Sequence, residues 1–188
     1  MAKIVKVTFK RKRNKLTNYK KRLALVKSNL NRIVIRSTNK RVLAQIVKYS
    51  EKGDIVLVSA YSNELSKFGW PSRSNKPTAY LTGLLLAQKA SEKKLEGEEY
   101  ILDIGLSVPV KNSTPFVFMQ GCIDGGLKLR SGSKIEEKNY KFQDSYINKL
   151  KENKALYEKQ FSGYIKQKIS PEELNKLFNS VKEKMLNA

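Results

Sequence analysis

Between residues 32 and 60 apolar positions recur in steps of two, the spacing of strands with one face buried. In a first segment, near 32–37, Ile33 and Ile35 share a face, while Arg32, Val34 and Arg36 share the other. In a second, near 41–49, Arg41, Leu43, Gln45 and Val47 alternate with Val42, Ala44 and Ile46, and a third covers 54–60. The breaks, Thr38-Asn39-Lys40 and Glu51-Lys52-Gly53, have hairpin length and turn residues, so the pattern predicts an antiparallel meander. Arg36, Lys40, Arg41 and Gln45 then lie on a surface the meander can present.

Helical spacing brackets this region. Thr17 is placed to cap a helix reaching about Ser28, with Tyr19, Leu23, Val26 and Leu30 on its apolar stripe and Lys20, Lys21, Arg22 and Lys27 facing outward. Residues 61–74 read as a loop punctuated by Gly69-Trp70-Pro71. Asn75 caps a helix through Tyr80, Leu81, Leu84, Leu85 and Ala90, with Pro77 in its first turn. The apolar run YILDIGL follows as a strand, reached by a parallel crossover in the same sheet. Another helix is predicted with Thr114 as its cap, Pro115 at its first position and Gly125-Gly126 at its end. Residues 130–139 read as an exposed connector.

From about residue 140 the spacing is helical again. Ser170-Pro171-Glu172-Glu173 has the form of a capping box, and Leu174, Leu177, Phe178, Val181 and Met185 fall on one face behind it. Phe142, Tyr146, Tyr157, Phe161 and Tyr164 form a looser apolar set. The expected fold is α/β: a mixed sheet packed with helices in a core domain over 17–130, preceded by an extended basic arm over 1–16 and followed by a helical C-terminal extension over 131–188.

Charge changes the picture more than composition does. The 188 residues hold 38 Lys plus Arg against 17 Asp plus Glu, a formal net charge of +21. Sixteen of those cations lie in the first fifty residues, and no acid precedes Glu51. Self-repulsion at that density calls for a polyanionic partner. No stretch approaches the ~18 apolar residues of a membrane span, and the N-terminus lacks the apolar segment of a secretory signal. The expectation is therefore nucleic acid, with no membrane and no small-molecule substrate. Histidine is absent and Cys122 is the lone cysteine, which removes His–Cys zinc sites, Ser–His–Asp triads and internal disulfides.

Three constellations are candidates for chemistry. The basic region is the first. Lys10, Arg11, Lys12, Arg13, Lys20 and Arg22 suit phosphate neutralisation, arginines as bidentate forks and lysines as point charges. Phe9 and Tyr19 sit among them, placed for packing or for stacking on an unpaired base. The second is Asp54, Asp103 and Asp124, whose clustering would hold Mg²⁺ for nuclease chemistry centred on Asp103. A turn acid, a hydrogen-bonded structural aspartate and a surface residue are the plainer readings of the three. The third is Cys122, best read as a small buried hydrophobe.

The succession KRKRNKLTNYKKRL, RIVIRSTNKRVLAQIV, GDIVLVSAYS, FGW, PTAYLTGLLLAQKA, LDIGL and GCIDGGL, in order over about residues 10–130, resembles the archaeal-type large-subunit ribosomal protein L-eighteen family. The resemblance implies an α/β fold, no enzymatic activity and no cofactor or metal. It further implies a role holding 5S rRNA to large-subunit rRNA in the central protuberance, beside neighbouring ribosomal proteins of the cytoplasmic ribosome. Carried over by position, it places the family's RNA-facing motif on Arg36, Ser37, Asn39, Lys40, Arg41 and Gln45. The arm and first helix supply Arg11, Arg13, Tyr19, Lys20 and Arg22, and the loop after the third strand supplies Ser59, Tyr61 and Ser62. The chain departs from the pattern at Tyr61, where archaeal relatives carry His, and the family's tail motif near 143–147 is not recognisable. Beside this stands the reading of a non-specific nucleic-acid or anionic-membrane binder.

Overall fold

The computed structural model describes residues 7–71, 73–95, 97–129, 136, 140–142, 144–167 and 169–186. The meander forms as its alternation predicts: β1 (Asn31–Ser37), β2 (Val42–Lys48) and β3 (Ile55–Tyr61) pair antiparallel in sequence. A helix, α3 (Lys76–Glu92), then crosses over to β4 (Glu99–Asp103), which pairs parallel with β1. A further helix, α4 (Thr114–Asp124), leads to the two-residue β5 (Lys128–Leu129), parallel to β4 and not anticipated from the sequence. The mixed sheet has the order β3-β2-β1-β4-β5.

One face of this sheet is the core. Ile33, Ile35, Val42, Ala44, Ile46, Val58 and Ala60 all point to it and are buried under α3 and its neighbours. Asn75 caps α3 as expected, its side chain accepting from Thr78 N at 3.0 Å, and Trp70 lies beneath the cap, its Nε1 donating to Thr78 Oγ1 at 2.9 Å. Helices α3 and α4 touch backbone to backbone. A Cβ placed on Gly121 would come within 2.2 Å of Tyr80 O, and one on Gly83 within 2.4 Å of Phe118 O. Only hydrogen fits at either position, so these glycines set the interhelical distance. Cys122 is fully buried there, and burial pushes its thiol pKa well up, which leaves it inert as expected.

The tail is helical: α5 (Asp144–Lys151), α6 (Lys154–Ile165) and α7 (Leu174–Leu186). On α7, Leu174, Phe178, Val181 and Met185 are buried and Leu177 is half-buried, which bears out the helical stripe. Phe178 closes an aromatic cluster with Trp70, Tyr80 and Tyr140, in which the Tyr80 and Tyr140 rings stack at 4.4 Å and 9°. Ile147, Phe161 and Tyr164 gather with Leu174 in a second cluster, with Phe142 and Tyr157 against it, so that looser apolar set is also real. The side chain of Tyr146 lies outside the described residues, as does most of the 130–139 connector.

Several local expectations are corrected. The 61–74 loop contains a 3-10 helix over Ser62–Phe68, ended by Gly69 at φ 82°. Ser113 rather than Thr114 is the N-cap of α4, with Pro115 at its second position. The capping box at Ser170 does not form: Pro171–Glu173 makes a 3-10 turn closed by a backbone bond from Glu173 N to Ser170 O at 3.1 Å. The basic arm is not extended throughout, because α1 (Lys10–Arg13) is a single helical turn. After it comes α2 (Tyr19–Lys27), capped by Asn18, whose Oδ1 accepts from Lys21 N at 3.1 Å. Thr17, the expected cap, instead accepts from Arg11 Nε at 2.8 Å.

Candidate nucleic-acid interface

The second face of the sheet carries the opposite strand positions: Arg32, Val34 and Arg36 on β1, Leu43, Gln45 and Val47 on β2, and Ser59 and Tyr61 on β3. Register lines them up in rows, Arg36 beside Leu43 beside Tyr61, and Val34 beside Gln45 beside Ser59. At the β1–β2 end the chain turns tightly. Thr38 N donates to Arg41 O at 2.9 Å and Arg41 N to Thr38 Oγ1 at 3.2 Å, leaving Asn39, Lys40 and Arg41 exposed at the corner. Ser37 is exposed beside them, within 3.0 Å of Ser74 Oγ. Ser59 and Gln45 are half-buried and Tyr61 is 39% exposed, so each of the three is at least partly open to solvent. Ser62 is not. It is fully buried, its Oγ accepting from Val42 N at 3.1 Å, because it starts the 3-10 helix that folds back over the sheet edge.

The helix α2 is tied to this face, and the tie is ionic. No residue of α2 is buried, and Leu23, expected on its apolar stripe, is 56% exposed. Arg22, expected to face outward, turns inward instead: Nη1 and Nη2 donate to the two oxygens of Asp54 at 3.0 and 2.9 Å. The paired distances define a bidentate fork. Arg32, buried on the sheet face, bridges Asp54 to Asp103. Its Nη1 donates to Asp103 Oδ2 at 3.0 Å, and its Nη2 lies 2.6 Å from Asp54 Oδ2 as a close charge contact without hydrogen-bond alignment. Arg36 ends the chain, with Nη2 3.2 Å from Asp103 Oδ1 and Nη1 2.8 Å from Asp103 O. Gly105, at φ +64°, donates its N–H to Asp103 Oδ1 at 2.9 Å, and a Cβ there would meet the Arg36 guanidinium carbon at 2.9 Å.

Two carboxylates are thus shared among three arginines. Burial works against ionising Asp54, but the hydrogen bonds from Arg22 and the close guanidinium of Arg32 together outweigh it and hold its pKa below the usual carboxylate range. The Arg22 pKa is raised, chiefly by its hydrogen bonds to Asp54. The carboxylates of the nuclease reading are accounted for by structure. Asp54 and Asp103 are each held by two arginines, and Asp124 accepts from Tyr80 Oη and Gln120 Nε2, both at 2.7 Å. Among the described residues no three acidic or cysteine groups converge as metal ligands.

The other cations of α1, α2 and the β1–β2 turn are open to solvent. Lys10, Arg11, Lys12, Arg13, Lys20, Lys21, Lys40 and Arg41 are exposed, and among the described residues none of them forms an ion pair. Tyr19 is half-buried with its ring 5.3 Å from that of Phe9, which links α1 to α2. Between these helices and the 102–109 segment runs a groove of about 980 Å³, lined among others by Arg11, Tyr19, Arg22, Arg36, Leu106 and Pro109. The missed partner in all this is Asp54: it sits 32 positions from Arg22, beyond the reach of any local spacing rule.

Comparison with known proteins agrees with this surface. The family model described as "Ribosomal large subunit proteins 60S L5, and 50S L18" matches residues 3–101. The large ribosomal subunit protein uL18 of Methanococcus maripaludis is 40% identical over 187 residues, covering 97% of this chain and 96% of that relative. Proteins of this kind are structural constituents of the ribosome rather than enzymes, with rRNA and other ribosomal proteins as partners and the cytoplasmic ribosome as their place. No helix among the described residues is long and apolar enough to cross a membrane. A match of the family model over residues 3–101, with a relative 40% identical along nearly the whole chain, makes this protein a member of the L5e/L18 family of large-subunit ribosomal proteins.

Proposed function

We propose that the protein binds 5S rRNA and anchors it to large-subunit rRNA in the central protuberance. The observation that carries this reading is the run of exposed cations without carboxylate partners on α1, α2 and the β1–β2 turn, set beside a half-open polar sheet face. Lys10, Arg11, Lys12, Arg13 and Lys20 neutralise phosphates, and each replaced counterion adds affinity that salt removes. Arg36, Ser37, Asn39, Lys40, Arg41, Gln45, Ser59 and Tyr61 form the less mobile surface, suited to 2′-hydroxyls, phosphates and unstacked bases. Tyr19 serves mainly to hold α1 against α2 through Phe9. The arm also reaches large-subunit rRNA.

Competition binding tests the reading: labelled 5S rRNA is challenged with tRNA and with anionic vesicles at several salt concentrations. The expected result is retention of 5S rRNA against both, with affinity falling steeply as salt rises. Equal displacement by tRNA or by vesicles identifies a non-specific polyanion binder and overturns the assignment.

A further inference from the structure

We infer that Asp54, an acid, is a positioning residue for RNA binding: it pins α2, and through α2 the basic turn of α1, onto the sheet so that their cations and the sheet's motif residues form one surface. The inference rests on the reading of the basic face as an rRNA site and concerns how that site is held together.

Four observations carry it. Helix α2 has no buried residue and exposes Leu23, so apolar burial does little to fix it. Its firm attachment is the bidentate Arg22–Asp54 pair, at 2.9 and 3.0 Å. Asp54 is itself braced from behind by Arg32, which is buried and anchored in turn to Asp103. Finally, α1 follows α2, because Arg11 donates to Thr17 and Phe9 packs on Tyr19. Position therefore passes from the sheet to Arg32, to Asp54, to Arg22, and on to the arm. A carboxylate embedded in a cation-rich surface repels phosphate, so its place here makes sense only if the geometry it enforces outweighs that repulsion. Several phosphate contacts held in register at once lose less ordering entropy on binding than the same charges on a detached helix.

Charge and geometry predict opposite signs, which makes the test sharp. Asp54→Asn raises the net charge by one and removes a repulsive group. On charge alone, 5S rRNA binds it more tightly. On the positioning account it binds roughly tenfold more weakly near 0.1 M salt, and the slope of log affinity against log salt shrinks by about 2 as contacts on α1 and α2 drop out. Asp54→Glu, which keeps the carboxylate, restores most of both. Tighter or unchanged binding by Asp54→Asn overturns the inference, as does weaker binding with an unchanged slope, which marks a structural defect only.

Amide exchange in the RNA-free protein separates this from the rRNA assignment. Amides of residues 19–27 exchange faster in Asp54→Asn while those of β1 and β2 keep their protection. Should Asp54→Asn fail to fold, Arg22→Gln cuts the same link from its solvent side, since the Arg22 side chain is 36% exposed. Unchanged exchange over 19–27 in that variant refutes the pin, whereas a wild-type protein indifferent to 5S rRNA refutes the assigned function and leaves the exchange result standing.

Discussion

The two faces of the sheet hold their helices by different physics. On one, α3 and α4 meet through Gly83 and Gly121 over a continuous apolar core, a contact with no adjustable part. On the other, α2 is held by a carboxylate shared between arginines, with its own apolar residues half in water. A close-packed interface is indifferent to ions and intolerant of added volume. An ion-paired one is the reverse, weakened by salt and tolerant of small changes in volume. The apolar face thus supports the domain, while the polar face positions α2 through charge.

Four perturbations break or sharpen this contrast, beginning with the largest. Gly121→Val drives a branched side chain into Tyr80 O and costs about 3 kcal/mol, read as a lower urea midpoint at unchanged slope. Asp103→Ala removes the hydrogen-bonded one of the two carboxylates that compensate the buried Arg32 and costs about 3 kcal/mol by the same measurement. Arg11→Glu with Arg13→Glu leaves the urea midpoint near wild type, because both side chains are exposed, and weakens 5S rRNA binding about 10–100-fold with a shallower salt slope. Acid has the smallest effect. The folded-state pKa of Asp54 is depressed, so the link contributes fully above the unfolded carboxylate value and is lost as pH falls through the lower folded value. Because Arg22 and Asp54 are partly exposed, that loss amounts to less than about 1 kcal/mol, and it appears as faster amide exchange in α2 before the core responds.

Period and punctuation made most of this fold legible beforehand. The meander, the capped α3, the parallel return to β4 and the α7 stripe each announce themselves within a dozen residues, because their buried faces repeat at fixed intervals. What escaped was decided by distant partners. Helix α2 has too few apolar positions to orient itself, so Asp54 sets its rotation and Leu23 is left outside. Gly83 and Gly121 look like ordinary helix glycines until each is seen against the other helix's backbone. Of the candidate surface, Arg36 and Gln45 were readable as positions on one strand face, and Asn39, Lys40 and Arg41 as exposed residues of the turn. Ser62 was not, since its burial depends on a 3-10 helix that carries no strong local signal.

Phe178 completes the aromatic cluster around Trp70 and Tyr80, yet it is made long after both. During synthesis the cationic segment of α1 and α2 therefore emerges well before the core of the domain can close. A nascent chain in that condition is a polycation with an open core, and shielding it until α7 docks becomes a task for the folding machinery.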